Sequence, residues 1–215
     1  MRIQWTLYFK MLAGLFAVLN PLGAVPLFAS LTQARTGAER RHIARVASCT
    51  VLVVLAVAAV GGEPLLGVFG ISLASFRIGG GILILLMAIA MLHAKRSGAK
   101  GSAEESAEAV ERQDIAVVPL GLPMLAGPGS ISTVILYRHQ AKGALTLAAI
   151  AVIICVVALS VYLILNFATP LISRLGKTWL NIINRVMGLV LASLAVEFIA
   201  EGLIDFFPIL ANGAR

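Results

Sequence analysis

The sequence predicts an all-α membrane protein: six transmembrane helices arranged as two inverted three-helix repeats, with helices 1 and 4 discontinuous. Three observations predict it. Of 215 residues, 60% are hydrophobic and only 13% charged, about half the charge of an ordinary soluble domain. Six uncharged runs are spread along the chain. The two halves of the chain also match at glycine and proline positions.

The runs cover residues 11–31, 46–62, 78–92, 115–137, 143–173 and 186–196. A bilayer core needs roughly 20 predominantly apolar residues per helix, and a charge near an end is tolerated. The shorter runs reach that length if Arg45, Arg77 and Glu197 lie inside their helices. The fifth is long enough to include a stretch at the membrane interface. No segment alternates apolar and polar residues at period two, which excludes a transmembrane β-barrel. Arg2 and Lys10 flank the first run, but Asn20, Pro21 and Pro26 at its centre mark it as a retained helix rather than a cleaved signal. The division is then 1–93 for the first repeat, 94–114 for a cytoplasmic linker and 115–215 for the second repeat. Within the linker, Ser102-Ala-Glu-Glu105 fits a capping box.

Six spans place both termini on one side. The loops joining helices 1–2, 3–4 and 5–6 carry Arg35, Arg40, Arg41, Arg45, Lys95, Arg96, Lys100, Arg112, Arg174, Lys177 and Arg185. The other side holds Arg2, Lys10, Arg138, Lys142 and Arg215. Basic residues collect on the cytoplasmic side, so both termini are expected in the periplasm. The net charge of +7 follows from these scattered loops and forms no stripe for nucleic acid. Cys49 and Cys155 lie in apolar spans without metal-site spacing, and His42, His93 and His139 sit at span ends or in loops, so no metal or other cofactor is expected.

At an offset of 107 residues, Gly14 falls on Gly121 and Pro21 on Pro128. With one more residue, Arg77-Ile-Gly-Gly80 falls on Arg185-Val-Met-Gly188. Each half has three spans, so the second must insert upside down relative to the first. Secondary transporters often have this plan, with the substrate site between the repeats near the bilayer midplane.

The first span is interrupted by Asn20-Pro-Leu-Gly-Ala-Val-Pro26, and the fourth by Pro119, Pro123 and Gly127-Pro-Gly-Ser130. Proline lacks an amide hydrogen and displaces the carbonyl four residues earlier, here those of Ala17 and Met124. The helix is expected to resume at Ser130 in the fourth span, with Gly129 bringing backbone close to a ligand. Alanine at Gly14 or Gly121, two turns from their breaks, is expected to be milder for binding than valine at Gly129 or Gly23. A half-helix after a break offers free amides for a carboxylate; the one before it offers carbonyls for an ammonium group. Neither span holds a charged side chain at its break, so a zwitterion fits better than a charged solute. The candidate substrate-binding residues are Asn20, Pro21, Gly23, Gly127, Pro128, Gly129, Ser130 and Thr133, with Ser132 close by.

At these residues the sequence resembles the MarC family, which includes the SnatA-type small neutral amino acid transporters. The likeness runs through Asn20 to Pro26, Phe76-Arg-Ile-Gly-Gly-Gly-Ile-Leu83, Asp114-Ile-Ala-Val-Val-Pro119, Pro123 to Ser132 and Arg185 to Gly188. It implies a six-helix bacterial inner-membrane protein with helices 1 and 4 discontinuous, and amino-acid transport in some members.

Two charges inside the spans need an account. Arg77 either pairs across helices, with Asn20 or an acidic group, or snorkels to the surface. Glu197, Glu201 and Asp205 share one face of helix 6. Glu197 lies deepest and is the candidate for coupling to H⁺, Na⁺ being the other ion considered. Helix 6 is expected to end near residue 200, leaving Glu201 and Asp205 in the interface. The expected activity is secondary transport of small neutral amino acids, with the lipid bilayer as surroundings and no nucleic-acid partner. An exporter or channel for other small metabolites is the alternative. A membrane-embedded hydrolase fits least, because no G-x-S-x-G, H-E-x-x-H or buried Asp pair accompanies Ser130.

Overall fold

The computed structural model describes residues 5–93, 125–140, 144–207 and 209. Every regular element among them is helical: α1 (Trp5–Leu19), α2 (Pro21–Leu31), α3 (Gly37–Val68), α4 (Leu73–Leu92), α5 (Pro128–Gln140), α6 (Ala144–Asn166) and α7 (Ala168–Phe206). Among the described residues five stretches are long and apolar enough to cross a membrane: Leu7–Leu31, Gly37–Val68, Leu73–Leu92, Leu145–Asn166 and Thr178–Phe206. The remaining one, the expected fourth span 115–137, begins in residues 115–124, which lie outside the described residues, as do the linker 94–114 and its capping box. Only α5 represents that span here.

Several boundaries differ from the sequence reading. The second span begins at Gly37 because Thr36 and Glu39 cap each other. Thr36 Oγ1 accepts from the Glu39 amide at 3.3 Å, and Glu39 Oε2 accepts from the Thr36 amide at 2.7 Å. This reciprocal pair satisfies two donors that a helix start leaves open. The long fifth run divides at Phe167, and Gly176, at φ 72° and ψ 165°, interrupts α7 before its membrane-crossing part. The last helix does not end near residue 200 but continues to Phe206, since Glu201 and Asp205 have a partner inside the bundle.

The packing puts the interrupted helices at the centre. The most extensive contact is α4 along α7, and α3 lies along α6. Between these pairs sit α1, α2 and α5, each touching several neighbours. The first span is the most deeply buried of the five. Residues Ser132 to Tyr137 of α5 are all buried. Irregular backbone at membrane depth must be shielded from lipid because its open polar groups find no water there. Glycines let α4 and α7 approach closely. A Cβ on Gly81 would meet Ile199 Cγ1 at 2.7 Å and the Ala195 carbonyl at 3.0 Å; one on Gly188 would meet Met91 Cβ at 3.1 Å and the Ala88 carbonyl at 3.2 Å. Close backbone approach of this kind is how membrane helices associate where lipid offers no hydrophobic driving force.

Candidate functional site

The first break is one residue wide. Asn20 adopts the left-handed conformation, φ 45° and ψ 59°, the only described non-glycine residue with positive φ. Asparagine tolerates that region because its short amide can bond locally. Here Asn20 Oδ1 accepts from the Gly23 amide at 3.2 Å and caps α2, whose first residue is Pro21. A Cβ on Gly23 would collide with Asn20 Nδ2, so Gly23 must be glycine for the cap to close. Pro21 has no amide hydrogen, which leaves the buried Ala17 carbonyl without its usual helical donor.

The second break is at Gly127. The helix resumes at Pro128, not Ser130, because proline's missing amide hydrogen costs nothing at the first helical position. Met124 lies outside the described residues, so its carbonyl is not placed. Ser130 Oγ donates to the Gly127 carbonyl at 2.9 Å and lies 3.3 Å from that of Leu125; Thr133 Oγ1 donates to the Gly129 carbonyl at 2.8 Å. Both hydroxyls thus tie the break to itself and keep only lone pairs for a ligand. Gly127 has no side chain with which to cap α5, so the amides of Gly129 and Ser130 have no counterpart of the Asn20 cap.

One face of α4 links the two breaks. A Cβ on Gly80 would meet Ser132 Cβ at 2.9 Å; one on Gly129 would meet Ile84, Met87 and Val18 at 3.2–3.3 Å. One turn farther along α4, Met91 Sδ takes a weak hydrogen bond from Asn20 Nδ2 at 3.8 Å. Met87 and Met91 are four residues apart, about 6 Å along the axis. The breaks therefore stand side by side, the first with an anchored amide and the second with the amides of Gly129 and Ser130 unpartnered among the described residues. Pro21 and Gly129 are buried, and Gly23 and Asn20 half-buried.

The remaining candidate residues lie away from this point. Arg77 is buried and pairs with Asp205 at 2.8 Å and Glu201 at 3.2 Å. This is cross-helix pairing with acidic groups, and Asn20 is not its partner. Glu197 is exposed and has no hydrogen-bond or ion-pair partner among the described residues. Gly14 is closely packed, since a Cβ there would strike the Tyr137 hydroxyl; Gly121 lies outside the described residues. His139 contacts Glu63 at 3.0 Å, joining the end of α5 to α3. Cys49 and Cys155 are exposed free thiols. No group of His, Cys, Asp or Glu suited to a metal occurs among the described residues.

The sequence reading missed Asn184. Its Oδ1 is buried with no hydrogen-bond partner among the described residues and would lie 3.0 Å from a Cβ on Gly23. The available signal was an amide one residue ahead of the Arg185-to-Gly188 repeat match, in the helix that pairs with α4.

The chain matches the model of the MarC family integral membrane proteins over residues 5–207. It is 39% identical to UPF0056 membrane protein YhcE of Escherichia coli (strain K12), over 97% of each chain. It is 40% identical to UPF0056 membrane protein YvbG of Bacillus subtilis (strain 168), over 93% of this chain and 95% of that one. A UPF0056 membrane protein of Aquifex aeolicus (strain VF5) is 34% identical over 92% of each. No solved structure matches.

Proposed function

Because the chain belongs to the MarC family of integral membrane proteins, we propose that it is a secondary transporter of small neutral, zwitterionic amino acids. The observation that carries this is the meeting of two helix breaks on one face of α4, with no charged side chain at either. A carboxylate is suited to the amides that open α5, and an ammonium group to the carbonyl end of α1. Breaks about 6 Å apart along α4 suit one small zwitterion with a hydrogen bond at each end. Val18, Ile84 and Met87 pack closely on Gly129, which favours ligands with small side chains such as those of glycine, alanine and serine.

The two halves are read as inverted repeats across the bacterial inner membrane, 1–93 and 115–215, joined by the linker 94–114. In support, α4 lies along α7 and α3 along α6, so equivalent helices meet each other. Glu197 is the carboxylate proposed for proton coupling. The test is uptake of labelled glycine, alanine and serine by proteoliposomes holding the purified protein. Accumulation that collapses when the ion gradient is dissipated supports coupled transport. Flux that only equilibrates makes it a channel, and no flux of any of the three rejects the reading.

A further inference from the structure

We propose that Asn184 is the acceptor that recognises the N–H groups of the ligand's ammonium, an assignment that rests on the transport reading above. A buried amide oxygen without a donor is uncommon in native proteins and calls for an explanation at each occurrence. Asn184 Oδ1 is such an atom. It faces the backbone of Gly23 across the first break, and Asn20 Nδ2 lies over the same point. The orientation of Asn20 is fixed, because its Oδ1 holds the Gly23 amide. Among the described residues its Nδ2 has only the Met91 sulfur, at 3.8 Å, and a thioether is a weak acceptor. An unused acceptor and an under-used donor therefore share one spot, between α7 and the start of α2.

An amide oxygen accepts and cannot donate, so this spot selects for a group carrying N–H or O–H. A sodium ion would need several oxygen ligands, and Asn184 supplies one. An ammonium bonded to Asn184, with its carboxylate directed to the amides of Gly129 and Ser130, would lie along the α4 face between Met91 and Met87. Asn184 is thus a specificity-determining residue on the second half of the chain, completing a site whose cap comes from the first.

The experiment measures binding by calorimetry to the purified full-length protein in detergent. The ligands are glycine and its N-methyl, N,N-dimethyl and N,N,N-trimethyl forms, which keep the positive charge while the N–H donors fall from three to none. Alanine and 2-aminoisobutyrate add comparable bulk at carbon instead. Wild type should lose affinity along the N-methyl series, by about tenfold or more at the trimethyl form, and tolerate methyls at carbon better. Asn184→Ala should weaken glycine by about tenfold and flatten the series. Asn184→Asp, which keeps an acceptor at the same place, should retain glycine binding and the dependence on donors. If Asn184→Ala bound glycine as wild type does, or kept the wild-type N-methyl profile, the assignment would be overturned. Should Asn184→Ala fail to fold, an N-methyl profile in wild type no steeper than the carbon-methyl one overturns it instead. A wild type that binds none of these ligands rejects the transport reading itself and the assignment with it.

Discussion

A single hydroxyl decides how much room Gly14 has. A Cβ at that position would strike Tyr137 Oη, while Tyr137 Cζ at 3.6 Å and Leu194 Cδ2 at 3.7 Å would be in ordinary contact. Gly14→Ala is therefore expected to destabilise by about 1–3 kcal/mol, the usual cost of overpacking a core. Tyr137→Phe in the same chain should restore most of that loss, and thermal unfolding of the two single variants and the double variant in detergent checks the coupling. Arg77 makes a second argument at this scale. Its side chain is 9% exposed, whereas Glu201 and Asp205 are 44% and 52% exposed. Removing both carboxylates leaves a charge stranded in the bundle; removing the arginine leaves two carboxylates that remain partly solvated. Glu201→Gln with Asp205→Asn should thus be more destabilising than Arg77→Met, the reverse of what equal burial would give. Denaturation midpoints of the two variants, compared in one detergent, decide it.

At the scale of the element, the interruption between α1 and α2 depends on Asn20 in two separable ways, the left-handed backbone and the cap on Gly23. Asn20→Gly keeps the first and loses the second; Asn20→Ala loses both. Alanine should cost about 1 kcal/mol for the cap and about another 1–2 kcal/mol for the backbone, with glycine only a few tenths in total. Chemical denaturation of the three proteins would check the order, wild type above glycine above alanine. The positions of both breaks were legible in the sequence because proline and glycine act on the backbone locally. Length and hydrophobicity likewise sufficed to place Arg45, Arg77 and Glu197 within helices. Pairing across helices could be read only in part: an acidic partner for Arg77 on another helix was one of two expected outcomes, and it is the one found. Asn184 is 161 to 164 positions from the residues it faces, Gly23 and Asn20, and the repeat match that begins beside it at Arg185 does not say which residues it meets. The end of α7 was misjudged for the same reason, since its last acidic turn is held by an arginine on another helix.

For the whole molecule, the distribution of arginine and lysine predicts the orientation. Reporter fusions after Arg215 should read as periplasmic and fusions within residues 98–108 as cytoplasmic; the opposite result at both sites would invert the protein in the membrane and leave its helices unchanged. Five of the six runs coincide with membrane-length helices among the described residues, but which helices occupy the centre was not readable. Hydrophobicity cannot distinguish lipid from protein as the neighbour of an apolar face. A mechanical consequence follows from the narrowness of the first break. A span cut at one residue behaves as a rigid lever on a single pivot. With 11 residues, α2 is about 16 Å long, so a turn of roughly 20° about Asn20 would sweep its far end through about 6 Å. That far end is pinned, because Arg40 donates to the carbonyls of Thr32 at 3.0 Å and Gln33 at 2.9 Å, and to Thr169 Oγ1 at 3.1 Å. Arg40→Gln should release the lever without disturbing the pivot. Spin labels at the exposed positions Ser30 and Ser173, in a chain lacking Cys49 and Cys155, should then show a broader distance distribution than with Arg40 in place.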